Sequence, residues 1–173
     1  EADILDVQLA LVDVSDLMKR LIEQISFEAR SSEYVDKKSG VSARLTIAAL
    51  ENAYSTAERR ALMHGETKTQ VWMSDLVGII PSITGKIELV YEGEQEGPYN
   101  VSYNLLEKAI RTQFINFFPN PETYKKRKTK EPEENPYKSI INWFDKNNNL
   151  SLFLETKDEV KIQKLYSVSG LHT

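Results

Sequence analysis

Cysteine is absent from this chain, and no apolar run reaches the roughly 20 residues that a transmembrane helix needs. Without cysteine the protein has neither disulfides nor thiolate metal ligands, a composition compatible with the reducing cytoplasm. The first residues, Glu1-Ala2-Asp3, also lack the basic start of a signal peptide. We therefore expect a soluble, cytoplasmic protein that does not associate with membranes.

Glycine and proline are sparse, with 7 and 6 residues in 173, which excludes a low-complexity or fibrous chain. Hydrophobic residues make up 40% and charged residues 28%, as in ordinary globular proteins. The length suits one core with an appended smaller element. The formal net charge of -4 argues against attraction of the whole surface to nucleic acid. The abrupt opening into Ile4-Leu5-Asp6-Val7 suggests a piece of a longer protein.

Apolar spacing predicts a mainly α-helical fold. Ser15 or Asp13 is the expected N-cap of the first helix, and an apolar stripe in the second comprises Ile47, Leu50, Tyr54, Ala57 and Ala61. Residues 84–91 fit either a strand or a helix, and 91–98 read as an acidic loop. The predicted helices cover residues 14–30, 42–63, 74–80, 101–118, a short segment around 140–144, and 158–168.

Four prolines at 119, 121, 132 and 136 bracket a charged stretch that contains Lys125, Lys126, Arg127, Lys128 and Lys130. Such a cluster could bind nucleic-acid phosphates, but Glu131, Glu133 and Glu134 follow at once and favour a solvated linker. We therefore predict a helical bundle over residues 1–118, a charged linker over 119–136 and a small helical extension over 137–173. Nucleic acid is not the expected partner.

Arg44 lies in the opening turn of the second predicted helix, where the helix dipole makes a cation unfavourable by about 0.3–1 kcal/mol unless an anion compensates. Ser39 and Ser42 can cap exposed amides there, and Gly40 permits a sharp turn. The guanidinium offers a fork for phosphate oxygens. An alternative is that Arg44 pairs with a carboxylate such as Asp36 or Glu33.

The segments SGVSARLTIAALENAYSTAERRAL and ITGKIELVYEGEQEG resemble the C-terminal part of bacterial magnesium-chelatase-like AAA+ ATPases, over about residues 10–118. The resemblance implies an AAA+ lid-type helical bundle in which Arg44 is the second-sensor arginine that senses nucleotide phosphate, with Ser39, Gly40 and Ser42 supporting it. It also implies ATP and Mg²⁺ in the full-length protein, bound by an upstream α/β core. The expected partners are that core, neighbouring subunits of a ring, and a client or adaptor protein.

The chain itself carries no other part of that chemistry. A phosphate-binding loop has four residues between its glycines and a hydroxyl after the lysine, whereas six residues lie between Gly78 and Gly85 and Ile87 follows Lys86. The stretch Asp145–Ser151 begins like a calcium loop but lacks its glycine and closing glutamate.

His64 and His172 have no nucleophile nearby in sequence. We therefore expect no catalytic residue, no metal and no cofactor within this chain. The alternative to a lid is a stand-alone helical module that binds protein or nucleic acid.

Overall fold

The computed structural model describes residues 10–125, 135–147, 150–152 and 156–171, without the side chain of Lys125. It confirms a mainly helical chain. The chain divides into two compact units, Glu1–Gln113 and Phe114–Thr173, called unit 1 and unit 2 below. The division falls inside a helix, a few residues before the boundary that we placed at Phe118 from the sequence.

The described residues form two short strands, a 3-10 helix and a series of α-helices. In chain order these are β1 (Leu11–Asp13), α1 (Asp16–Ser31), α2 (Arg44–Met63), β2 (Lys68–Gln70), the 3-10 helix (Met73–Ile79), α3 (Ile80–Thr84), α4 (Tyr91–Glu96), α5 (Pro98–Phe117), α6 (Pro121–Lys125), α7 (Lys138–Lys146) and α8 (Asp158–Tyr166).

The strands β1 and β2 pair in parallel, with Leu11 opposite Lys68 and Asp13 opposite Gln70. Sequence patterning does not reveal them, because three residues are too few to show alternation. One strand precedes α1 and the other follows α2. The pair therefore joins the start of α1 to the end of α2.

Helix α1 forms where the sequence predicts it. The Ser15 hydroxyl caps the helix by accepting a hydrogen bond from the Met18 amide at 3.3 Å. Leu21, Ile22 and Ile25 lie on its buried face. This face contributes to a core in which the apolar side chains of unit 1 form one continuous cluster from Val12 to Ala109.

Helix α2 is also confirmed, but its predicted apolar stripe is half wrong. Ile47 and Tyr54 are 59% and 38% exposed. Ala57 and Ala61 are fully buried as predicted, and Leu50 is partly buried against the core. The other fully buried apolar side chains of this helix are Leu45, Ala49 and Ala53. Small side chains let neighbouring backbones approach closely. A face of alanines can therefore be packed as tightly as a face of larger residues.

The 3-10 helix illustrates this close approach to α2. A Cβ atom on Gly78 would lie 2.1 Å from the Thr56 hydroxyl oxygen. The predicted helix at residues 74–80 is thus realised as a 3-10 segment, followed by α3 with Pro81 in its first turn.

Residues 84–91 resolve the open choice between strand and helix. Thr84 ends α3 and Tyr91 begins α4, while residues 85–90 between them form neither, apart from a single antiparallel bridge between Val35 and Leu89. The expected acidic loop after them is wrong, because Tyr91–Glu96 is α4. Gly93 explains the difference: a Cβ there would lie 2.5 Å from the Tyr34 carbonyl oxygen, so α4 packs directly against this backbone.

An ion pair is buried at the end of α2. Arg60 donates from Nε to Asp75 Oδ1 at 3.1 Å and from a terminal nitrogen to Asp75 Oδ2 at 2.9 Å. The same nitrogen also donates to the Gln70 carbonyl, and the Trp72 amide donates to Asp75 Oδ2. The pair therefore ties α2 to β2 and to the start of the 3-10 helix.

Unit 2 contains the end of α5 together with α6, α7 and α8. The last two confirm the helices predicted around residues 140–144 and 158–168. The Tyr137 hydroxyl donates to the Pro119 carbonyl at 2.5 Å, and burial, with a smaller effect of Tyr124, raises the pKa of this phenol above its ordinary value. Among the described residues of unit 2, the buried side chains are Lys161 and Val168. Half of the predicted linker, residues 126–134, lies outside the described residues.

Candidate functional site

Arg44 is the first residue of α2, and its side chain is exposed. The N-cap position is Ala43, which provides no side-chain cap, and the first turn contains no acidic residue. The Ser42 hydroxyl accepts a hydrogen bond from the Arg44 amide at 3.2 Å. The positive end of the helix dipole and the guanidinium are therefore both left without a neighbouring carboxylate in this turn.

The connection between α1 and α2, residues 32–43, shapes the approach to Arg44. Gly40 has a φ of 70°, in the left-handed region that favours glycine, and so makes a sharp turn. Ser39 is exposed, and its side chain makes no hydrogen bond within the part of the chain that the structure describes. Ser42 thus caps an amide, whereas Ser39 does not.

The alternative ion pair with Asp36 or Glu33 is not formed. Asp36 Oδ1 instead accepts a hydrogen bond from the Lys38 amide at 2.8 Å, which folds the connection back on itself. Across residues 10–125 and the other described segments, the Arg44 side chain has neither an ion pair nor a hydrogen bond. Its guanidinium is therefore available to an anion from outside these residues.

Two further cations, Arg30 and Lys37, line a cavity beside this connection, and the sequence did not single them out. Arg30, in the last turn of α1, donates to the Val41 carbonyl at 3.3 Å and lies 5.5 Å from the centre of the Phe27 ring. A cavity of about 430 Å³ is lined by Ala29, Arg30, Val35, Asp36, Lys37, Gly40 and Val41. The only sequence signal for Arg30 is a basic residue at a helix C-terminus, which is common in any helix.

Helix α1 fixes the first turn of α2 as well. The Ser26 and Thr46 hydroxyls hydrogen-bond to each other at 2.6 Å. The helix that carries Arg44 is thus linked to α1 two residues after Arg44. The exposed guanidinium can bind an anion through its fork of N–H donors.

The other sequence candidates are placed differently. Gly78 and Lys86 belong to a region of short helices, and Gly78 packs against Thr56 instead of opening a phosphate-binding loop. Asp145 lies in α7, whereas Asn148, Asn149 and His172 fall outside the described residues. Among the residues that the structure describes, no group of three His, Asp or Glu side chains could hold a metal ion.

Comparison with known proteins does not assign a family. The chain matches no protein-family model, no curated protein and no solved structure. Among the described helices, none has both the length and the apolar character required to cross a bilayer.

Proposed function

We propose that this chain is the nucleotide-sensing lid of a magnesium-chelatase-like AAA+ ATPase, in which Arg44 contacts the phosphates of ATP. The observation that carries the proposal is the exposed Arg44 guanidinium at the start of α2, without a carboxylate partner in the described part of the chain. An arginine in this position is favourable when a polyphosphate occupies the site. The resemblance of the surrounding sequence to that family gives the same role to the same residue.

The proposed lid acts as a switch, while an α/β core supplied by the parent protein holds ATP and Mg²⁺ and performs hydrolysis. Contact between Arg44 and phosphate favours one position of the lid, and loss of that contact after hydrolysis favours another. The Ser26–Thr46 hydrogen bond helps α1 and α2 to move together. Neighbouring subunits of a ring and a client protein in the cytoplasm are the partners in this proposal.

The test uses the full-length gene product that contains this chain. Arg44→Ala removes one charge-assisted contact to phosphate, so we expect the rate of ATP turnover to fall about tenfold or more. The matched control is Arg59→Ala, because Arg59 is an exposed arginine on the same helix. Its turnover should equal that of the unchanged protein.

Two outcomes would overturn the proposal. One is unchanged turnover in a folded Arg44→Ala variant, whose folding is checked by its thermal unfolding curve. The other is equal loss in Arg44→Ala and Arg59→Ala, which would show only a general effect of positive charge on α2.

A further inference from the structure

A second surface lies beside α4 and the start of α5. It is a cleft of about 540 Å³ lined by Thr84, Ile87, Glu88, Leu89, Glu94 and Pro98. The lining combines apolar side chains with two carboxylates. We call it the acidic cleft.

The backbone around the acidic cleft is held in place by several contacts. The Asp36 amide donates to the Glu88 carbonyl at 2.8 Å, and the Val90 amide donates to the Tyr34 carbonyl at 3.0 Å. Gly93 packs closely against the same Tyr34 carbonyl. These contacts hold in place the backbone of residues 88–93, which carries Glu88 and directly precedes Glu94.

Neither carboxylate is neutralised by the protein. Glu88 and Glu94 are exposed and make no ion pair within residues 10–125 or the later described segments. Helix α4 adds Glu92 and Glu96 and contains no basic residue. The cleft therefore attracts cations, and nucleic acid is repelled by the same charges.

Exposed aromatic rings lie close to the cleft residues in sequence. Tyr99 and Tyr103, 58% and 40% exposed, stack at a centroid distance of 6.4 Å with an angle of 12° between their planes. Tyr99 directly follows Pro98 of the cleft, and Tyr91 at the start of α4 is 72% exposed. Tyrosine faces attract ammonium and guanidinium groups, so these rings favour the same class of ligand as the carboxylates.

We propose that the acidic cleft binds a lysine or arginine side chain from a basic segment of a partner protein. The aliphatic stem packs against Ile87, Leu89 and Pro98, and the charged end meets Glu88 and Glu94. Long basic side chains combine these two parts, since their stems bury on apolar surface while their heads remain charged. Arg44 does not line this cleft, and the proposal does not depend on the function proposed above.

The test is an NMR titration of the ¹⁵N-labelled chain with a capped peptide of three lysines separated by alanines. We expect saturable shifts of the Ile87, Leu89 and Gly93 amide signals. The double variant Glu88→Gln/Glu94→Gln should bind the peptide about tenfold more weakly at low salt, because two carboxylate contacts are lost. The matched control, Glu23→Gln/Glu51→Gln, removes the same charge from exposed positions on α1 and α2 and should bind as the unchanged chain does.

A control peptide with norleucine in place of lysine should not cause the shifts, and added salt should weaken the binding of the lysine peptide to the unchanged chain. These two measurements keep the test decisive even if a variant fails to fold. The proposal is overturned if the lysine peptide leaves the three amide signals unmoved. It is equally overturned if both double variants weaken binding alike, or if the norleucine peptide binds as well.

Discussion

The buried residues Arg60 and Asp75 show how two charged side chains are accommodated inside unit 1. Both are almost fully buried, at 2% and 0% exposed side-chain surface. Their charges compensate each other through two direct hydrogen bonds, and backbone groups satisfy further atoms of both side chains. Removing one partner would leave the other as an uncompensated charge in the core.

Asp75→Asn is therefore expected to lower the free energy of unfolding by about 3–5 kcal/mol, the typical effect of breaking a buried ion pair. Urea denaturation measures the change. Asp16→Asn is the control, because Asp16 also pairs with a cation, Lys19, but at 3.5 Å and with 88% of its side chain exposed. Its effect should stay within about 0.5 kcal/mol, and equal losses in the two variants would contradict this account.

Among individual arginines, the position of Arg44 is easier to interpret from the sequence than that of Arg60. A cation in the first turn of a helix stands out against the dipole, so the sequence singles out Arg44 as a candidate anion-binding residue without a structure. Arg60 lies in a helix where arginine is common, and its partner Asp75 is 15 residues away. Only the three-dimensional fold brings these two together, as it brings Arg30 to the Val41 carbonyl.

Among the elements, α2 departs most from its predicted packing. Hydrophobicity favours Ile47 and Tyr54 as core residues, yet the fold buries the alanines and leaves these larger side chains at the surface. The choice depends on how closely the neighbouring elements approach, as at Gly78. The distance between α2 and its neighbours cannot be predicted from the sequence of α2 alone.

The burial of the alanine face predicts that substitutions at Ala53 and at Ile47 affect stability differently. Ala53→Leu forces additional carbon atoms into a packed contact and should lower the free energy of unfolding by about 1–3 kcal/mol. Ile47→Ala removes a side chain that is mostly exposed, and its effect should remain within about 0.5 kcal/mol. Thermal or urea unfolding of both variants checks this, and a larger loss for Ile47→Ala would restore the stripe predicted from sequence.

Short elements are the other part of the fold that sequence reasoning misses. Helix α4 has 6 residues and both strands have 3, lengths at which periodicity carries little information. Their conformations depend on contacts with residues far away in sequence, such as Gly93 with Tyr34 and Val12 opposite Thr69. The longer helices α1, α2 and α5 carry enough turns for their apolar spacing to predict them.

For the whole molecule, the distribution of buried side chains differs sharply between the two units. The continuous apolar core lies between Val12 and Ala109, within unit 1. In unit 2 the described residues bury Lys161 and Val168, while Ile141, Phe144 and Ile162 are 49%, 41% and 40% exposed. Among the described residues, most of the burial that stabilises the fold therefore lies in unit 1.

A fragment that ends at Phe118 keeps all of α5 and the whole apolar core. We expect it to unfold cooperatively, with a midpoint close to that of the full chain, because most of the burial that drives folding is retained. Circular dichroism during heating measures this midpoint. A fragment of residues 119–173 should show no comparable cooperative transition, and loss of cooperativity in the longer fragment would contradict the assignment.

The parallel pairing of β1 with β2 has a mechanical consequence for the helices that it joins. The strands and the Arg60–Asp75 pair anchor the far end of α2, whereas Arg44 lies at the opposite end of this 20-residue helix. At 1.5 Å per residue the two ends are about 30 Å apart. Because the face from Leu45 to Ala61 is buried along this length and Ser26 bonds to Thr46 beside Arg44, the helix is held at both ends, so a force on Arg44 is transmitted to the strands and the ion pair.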